Sequence, residues 1–123
     1  MTDFVALLGQ VLVSSPTEVV LVTDGDLKSP EGPTISYATD GIVRTSGYKP
    51  QEVIGRPLGM LFDETIMPQV LSVLSKAAET REPVIVDQET MDREGQPHWL
   101  ELSTTPIFDA KGKLIHFVRR SRD

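Results

Sequence analysis

The sequence predicts an α+β domain in which one face of an antiparallel sheet is covered by helices. Segments with strand character fall into two groups, one near the N-terminus and one at the C-terminus, and helical segments lie between them. The C-terminal group contains two turns, at residues 92–95 and 109–112, that both place Asp first and Gly fourth. Asp bonds the turn backbone and Gly takes the positive φ that rejoins the strand, so these turns predict two consecutive hairpins.

Composition excludes several classes of protein. The chain has 123 residues, the size of one domain, and it contains no cysteine. Disulfides, thiolate metal sites, iron–sulfur clusters and cysteine nucleophiles are therefore excluded, and a cytoplasmic protein is expected. The net charge of -6 provides no basic footprint for nucleic acid. No run approaches the ~20 apolar residues that cross a bilayer, so we expect no membrane insertion.

The N-terminal segment has the pattern of a short amphipathic helix. Residues 1–13 place Phe4, Leu8 and Val11 on one face at helical spacing, and Pro16 follows as a breaker. This segment is expected to flank the domain rather than to belong to its sheet. The predicted boundaries are 1–16 for the helical flank and 17–123 for the domain.

Two strands are predicted to open the domain. Residues 19–22 form a β-branched run that is typical of a buried strand. Residues 24–33 are rich in Gly, Pro and Asp and predict a turn. The second strand, at residues 34–37, alternates polar and apolar residues and places Ile35 and Tyr37 on one face.

The middle of the chain predicts short helices followed by one long helix. Residues 39–62 contain frequent Gly and Pro, which forbid a long helix. A longer helix ending near Arg81 follows, with Asp63 or Thr65 as its cap and Pro68 in its first turn. The strands of the C-terminal group are then expected at residues 84–91, 97–107 and 113–121.

Several motifs are similar in order and spacing to those of a known family. They are TSGY at 45–48, QEVIGR at 51–56, HWLELS at 98–103, TPI at 105–107 and HFV at 116–118. On these motifs, residues 32–123 resemble a PAS domain, the sensory fold that also includes the LOV photoreceptors. The resemblance implies a five-stranded antiparallel sheet with helices cupping a small pocket. It also implies an attached effector, which is a sensor histidine kinase of a two-component system, or a diguanylate cyclase or phosphodiesterase of cyclic-di-GMP signalling.

The resemblance does not extend to the residues that hold a cofactor. LOV domains carry a Cys at the position of Leu58, and their other flavin-contact positions also differ here. Those positions are occupied by Gly59, Phe62, Thr90, Leu100 and Ser121. Haem-binding PAS domains usually take a His from the long helix, and residues 63–82 contain none. We therefore expect neither flavin nor haem, while an unknown small ligand stays open.

Strand alternation predicts which side chains face the interior. If Leu100 points inward, pleating puts Leu102 and Thr104 on the same face. Such an interior suits either a ligand cavity or a core filled by side chains. Because a buried arginine must be paired, Arg119 is expected to receive a carboxylate ligand, to pair with an acidic residue of the chain, or to reach water. The pocket candidates are Tyr37, Leu58, Leu61, Thr90, Leu100, Leu102, Thr104, Phe117 and Arg119.

The predicted interior argues for a binding and signalling module rather than an enzyme. It contains no Asp, Glu or His, which a small pocket enzyme such as an isomerase or hydratase would need as acid or base. Trp99 is predicted on the outer sheet face, where with Phe4, Leu8 and Val11 it would form the surface of a homodimer. Asp123, at the exit of the last strand, is the candidate for relaying a signal to a following helix.

Overall fold

The computed structural model describes residues 18–122, except for the side chain of Arg122, and it contains a single five-stranded sheet. The strands are β1 (Glu18–Asp24), β2 (Ile35–Ala38), β3 (Val84–Met91), β4 (Pro97–Phe108) and β5 (Leu114–Arg122). They are antiparallel, and their order across the sheet is β2-β1-β5-β4-β3. The predicted α+β class with five antiparallel strands is confirmed. The predicted helix at residues 1–13 lies outside the described residues.

Short helices and one longer helix pack against one face of this sheet. Gly47, in the left-handed conformation with φ 78, ends the first helix, and Pro50 begins the second. Frequent breakers therefore limit helix length here, as predicted. Within residues 18–122, no helix is both long enough and apolar enough to cross a membrane. The helical elements are α1 (Ile42–Ser46), α2 (Pro50–Val53), a 3-10 turn (Leu58–Leu61) and α3 (Met67–Thr80).

The long helix α3 begins without a side-chain cap. Its N-cap residue is Ile66, so the prediction that Asp63 or Thr65 caps this helix is wrong. Asp63 Oδ1 instead accepts bonds from the backbone N–H and the hydroxyl of Thr65, both at 2.9 Å, which closes the turn before the helix. At the other end, Arg81 has φ 59 and its guanidinium carbon lies 4.2 Å from the ring centroid of Phe108. Arg81 thereby connects the C-terminal end of α3 with the C-terminal end of β4.

Both predicted hairpins of the C-terminal group are confirmed. Gly95 and Gly112 have φ values of 80 and 83, which L side chains rarely adopt. Asp92 and Asp109 each accept, through Oδ1, bonds of 2.9 Å from the backbone N–H groups two and four residues further along. The same local chemistry therefore builds the turn between β3 and β4 and the turn between β4 and β5.

The first of these turns gives a pH-dependent prediction. Asp92 Oδ2 lies 2.8 Å from His98 Nε2, and this contact, with the backbone N–H bonds, holds the pKa of Asp92 below its ordinary value. A carboxyl with a depressed pKa adds stability above its unfolded pKa, and this contribution is lost as the pH falls through the lower folded value. We expect His98→Gln to raise the pKa of Asp92 toward the ordinary 3.8, measured by NMR titration of the carboxyl carbon.

The matched control for this substitution is His116→Gln. His116 Nδ1 lies 3.1 Å from the carbonyl oxygen of Thr23, in another part of the sheet. Its replacement should leave the pKa of Asp92 where it is in the wild type. Equal pKa values for Asp92 in the wild type and in His98→Gln would contradict the assignment of the shift to His98.

The main core lies between the sheet and the helices. Phe117 of β5, Ile35 of β2 and Leu74 of α3 are all fully buried in it. Alternation along β1 divides that strand between the two faces, with Val19 and Leu21 in the main core. On the opposite face, a smaller buried cluster contains Val20, Val22 and Val118, with Tyr37 and Ile107 packed against it.

An irregularity in β2 separates two residues that were predicted to share a face. The consecutive residues Val22 and Thr23 of β1 pair with Tyr37 and Ile35, so β2 carries one extra residue at this point. This β-bulge leaves Ile35 in the main core and turns Tyr37 toward the smaller cluster on the other face. The prediction that Ile35 and Tyr37 lie on one face is therefore wrong.

Candidate functional site

A small cavity separates the sheet from α1 and the 3-10 turn. The centres of water-sized molecules can occupy a space of 40 Å³ inside it. This is room for about three such molecules. Side chains from four of the five strands contribute to its wall, and most of that wall is apolar. The lining residues are Val19, Leu21, Ile42, Thr45, Ser46, Leu61, Phe62, Thr90, Met91, Leu100, Leu102, Arg119 and Ser121.

Arg119 is the charged group of this cavity. Its backbone pairs with Leu21 of β1 and Thr104 of β4, and its side chain points inward with 2% exposure. Nε donates to Thr104 Oγ1 at 3.2 Å, and the guanidinium carbon lies 5.6 Å from the ring centroid of Phe62. Nη2 is buried and has no hydrogen-bond partner among the described residues. Of the environments predicted for Arg119, neither an acidic partner nor access to water is found within residues 18–122.

The electrostatic state of Arg119 follows from this burial. Desolvation lowers the pKa of the Arg119 guanidinium to about 10, because the charged form is disfavoured away from water. The group therefore still carries its charge at neutral pH. The face of the Phe62 ring attracts a cation, and the hydroxyl of Thr104 is a neutral acceptor. Neither group supplies a negative charge, so the described part of the chain leaves this cation uncompensated.

Other polar groups around the cavity are engaged by the backbone. Ser46 Oγ donates to the carbonyl oxygen of Ile42 at 2.7 Å, and Thr90 Oγ1 donates to that of His98 at 3.3 Å. The lining contains no Asp, Glu or His. In the described part of the chain, no three side chains of metal-ligating type come together. The lining of the cavity therefore offers no carboxylate or imidazole for acid–base catalysis.

A second, larger depression runs along the outside of the helices. It has a volume of 920 Å³ and passes Glu31, Met60 and Leu71. Among residues 18–122, however, Arg119 Nη2 is the one buried side-chain nitrogen or oxygen that lacks a partner, and Arg119 lines the smaller cavity. An unsatisfied buried polar group calls for an explanation, so the small cavity is the better candidate site.

The structure divides the predicted pocket residues into four sets. Leu61, Thr90, Leu100, Leu102 and Arg119 line the cavity. The others do not: Thr104 lies beside the cavity as the partner of Arg119, Leu58 and Phe117 fill the main core, and Tyr37 belongs to the cluster on the opposite face.

Elements α1 and β1 also contribute to the lining, which the sequence motifs did not predict. Ile42, Thr45 and Ser46 come from α1, and Val19 and Leu21 come from β1. Alternation along residues 19–22 was a usable signal for the two β1 residues, since it divides that strand between two faces. No local signal marks the α1 residues, because their position depends on how a five-residue helix docks against the sheet.

These residues do not fit a flavin. Leu58, at the position of the LOV cysteine, is fully buried in the main core and does not line the cavity. Space for about three water-sized molecules is far less than the three fused rings of a flavin require. The expectation that the purified protein carries neither flavin nor haem stays a prediction.

The outer face of the sheet carries the second feature of functional interest. Trp99 and Ile85 are 67% and 66% exposed, which is unusual for side chains of this size. Near Ile85, Nε and Nη2 of Arg120 each donate to a carboxylate oxygen of Glu18 at 2.8 Å. Trp99 therefore lies on the predicted outer face. The other dimer candidates, Phe4, Leu8 and Val11, and the relay candidate Asp123 lie outside the described residues.

Comparisons with curated proteins connect this chain to bacterial photoreceptor kinases. Blue-light-activated histidine kinases of Brucella ovis and Brucella anthropi are 27% and 28% identical to it over 104 residues. The aligned part covers 85% of this chain and 21% of each kinase. The chain thus spans about a fifth of the length of the curated relatives it matches.

Solved structures and a family model agree on the fold. A PAS domain from Colwellia psychrerythraea superposes with a TM-score of 0.79 at 20% identity, covering 98% of this chain and 97% of that chain. An RNA-binding light-oxygen-voltage receptor gives a TM-score of 0.75 at 21% identity, covering 99% of this chain and 33% of the receptor. The model of the PAS fold matches residues 18–123, which include every described strand and helix. This chain therefore belongs to the PAS-fold family of sensory domains.

Proposed function

We propose that this domain is the input module of a larger signalling protein, in which occupancy of the small cavity regulates a linked histidine kinase. The observation that carries the proposal is the contact between the cavity and β5, the strand that leads out of the domain. Arg119 and Ser121, both on β5, line the cavity close to the last described residue. A ligand that moves these side chains acts directly on the exit of the chain.

Strand β5 offers a physical route for the signal. It is hydrogen-bonded to β1 on one side and to β4 on the other, so a shift of β5 affects the whole sheet. A strand end that hands over to a helix can act as a two-state element, because a small displacement changes where the helix begins. Asp123 stays the candidate relay residue, since a carboxylate at that point can cap such a helix.

A histidine kinase is the favoured effector because the Brucella relatives are named as histidine kinases. Diguanylate cyclases and phosphodiesterases of cyclic-di-GMP signalling are the alternative effectors, and a cytoplasmic location suits all of them. A pocket enzyme is disfavoured, since the cavity lining has no Asp, Glu or His.

The test fills the cavity without changing its charge. Ser121→Leu, made in the full-length host protein, adds volume to the lining and should change kinase autophosphorylation several-fold while the domain stays folded. Ser72→Leu is the matched control, because Ser72 is an exposed residue of α3. Melting temperatures of both variants separate regulation from unfolding. Unchanged autophosphorylation in a folded Ser121→Leu protein would count against the cavity as the regulatory site.

We further propose that the domain forms a homodimer through its outer sheet face. The support is the exposure of Trp99 and Ile85 on the outer face of the sheet, with Phe4, Leu8 and Val11 of the N-terminal segment as further candidates. Large side chains at this level of exposure are typical of surfaces that contact another chain. Symmetric pairing would place the same patch of both copies together.

The dimer is tested at Trp99. We expect Trp99→Glu to shift the protein from dimer to monomer in light scattering, because it places a charge in the centre of the contact. Deletion of residues 1–13 should lower the oligomeric state or the solubility. Val43→Glu is the control, since Val43 is exposed on α1, away from the outer sheet face. A wild-type protein that is already monomeric across the concentration range would rule the proposal out.

A further inference from the structure

We propose that the small cavity binds a short-chain monocarboxylate of the size of acetate or propionate, with its carboxylate on Arg119 and its hydrocarbon end against the apolar wall. The inference rests on the proposed function, because it names the ligand of the same cavity. Three properties of the cavity lead to this class of ligand: its charge, its polarity and its volume.

The charge of the cavity calls for an anion. Arg119 is 2% exposed, and its Nη2 has no partner among residues 18–122. Its two recorded contacts, the Thr104 hydroxyl and the Phe62 ring, are neutral. A buried cation without a counter-charge is strongly unfavourable. A carboxylate would neutralise the guanidinium charge and would accept a hydrogen bond from the unpartnered Nη2.

The polarity of the wall selects the rest of the ligand. Around Arg119, the hydroxyls of Ser46 and Thr90 already donate to backbone carbonyls. A phosphate or sulfate needs several donors on all of its oxygens, and the lining contains no second cationic side chain. Apolar side chains such as Leu100 and Leu102 form most of the remaining wall. One charged end and one apolar end therefore match the site, whereas a compact polyanion does not.

The volume of the cavity sets the length of the ligand. A volume of 40 Å³ for water-sized centres corresponds to about three positions of that size. Acetate and propionate have four and five heavy atoms by their chemical formula, whereas longer fatty acids or aromatic acids would have to displace the core. For so few atoms the dissociation constant is expected on the order of 0.1–1 mM.

The binding test uses sodium propionate as the probe, at constant ionic strength. Calorimetry and NMR of the wild-type domain should show saturable binding, with shifts at the Arg119 Nε–H and at the backbone amides of Thr90 and Ser121. Arg119→Met should weaken binding about ten- to a hundredfold, the range for one charge-assisted hydrogen bond to an ion. Arg56→Met, which removes an exposed arginine elsewhere, should leave binding unchanged.

Further variants keep the result interpretable. Arg119→Lys retains the charge without the planar fork and should bind with intermediate affinity, which covers the case in which Arg119→Met fails to fold. Ser121→Leu fills the cavity and should abolish binding while Arg119 is intact. Sodium phosphate and sodium octanoate are tested in parallel. Equal binding of phosphate, tighter binding of octanoate, or propionate binding that is unaffected by Arg119→Met would overturn the proposal.

The ligand class and the sensory function can fail separately. If Ser121→Leu changes kinase autophosphorylation but propionate does not bind, the cavity is regulatory and the ligand class is wrong. If propionate binds through Arg119 but leaves autophosphorylation of the full-length protein unchanged, the binding site is correct and the sensory function is wrong.

Discussion

Replacing Phe117 with Ala is expected to lower the free energy of unfolding by about 3–5 kcal/mol. Phe117 is fully buried in the main core and lies on β5, which pairs with strands on both sides. The substitution removes a large apolar side chain and leaves a cavity, because neighbours held in a sheet cannot collapse into the space. Since a domain of this size is stable by only about 5–15 kcal/mol, the variant loses a large share of its stability.

Urea unfolding followed by circular dichroism measures this effect as a shift of the midpoint at constant slope. Val43→Ala is the control, because Val43 is 44% exposed on α1. Its change should stay within about 0.5 kcal/mol, as for other surface substitutions. A loss below about 1 kcal/mol in Phe117→Ala would show that Phe117 is not a packed core residue.

Replacing Arg119 with Met is expected to raise the stability of the ligand-free domain by about 1–3 kcal/mol. Met is similar in length to Arg, adapts to irregular gaps and carries no charge. The pKa of the Arg119 guanidinium is lowered from its ordinary value to about 10, which means that burial disfavours the charged form in the folded state. That difference corresponds to roughly 3 kcal/mol, which is offset in part by the Thr104 hydroxyl and the Phe62 ring. This cost of burying the charged guanidinium applies in full at every pH below about 10.

The matched substitution Arg120→Met should have the opposite effect. Arg120 is the next residue along β5, but its guanidinium binds the buried carboxylate of Glu18 through two bonds of 2.8 Å. Removing it breaks both charge-assisted bonds to that carboxylate, so we expect a loss of about 1–3 kcal/mol. Thermal and urea unfolding in ligand-free buffer compare the two variants. A loss of 3 kcal/mol or more in Arg119→Met would show that Arg119 is already paired inside the protein.

The parts of the fold that were predictable from sequence are those set by local chemistry. Asp92 and Gly95, like Asp109 and Gly112, determine their turns within four residues, and both hairpins formed as expected. Once Leu100 was assumed to point inward, pleat alternation placed Leu102 and Arg119 on the inner face as well, and all three line the cavity.

The parts that were not predictable depend on contacts between distant segments. The bulge in β2 results from its pairing with β1, and no residue type near Ser36 indicates it in the sequence. Tyr37 was therefore assigned to the wrong face. The docking of α1 and the 3-10 turn decides which inward residues border free space. This is why Phe117 became core while Leu61 became lining. The lack of a hydrogen-bond partner for Arg119 Nη2 among the described residues likewise depends on the assembled domain rather than on the sequence of β5.

The position of β5 within the sheet also governs when this domain can fold during synthesis. The strand made last lies in the middle, between β1, the first described strand, and β4. Until residues 114–122 have left the ribosome, β1 and β2 have no partner that joins them to the C-terminal hairpin, and two unpaired strand edges stay exposed. Native assembly must therefore follow the translation of almost the whole domain, and it is bound to depend on non-local pairing that forms slowly.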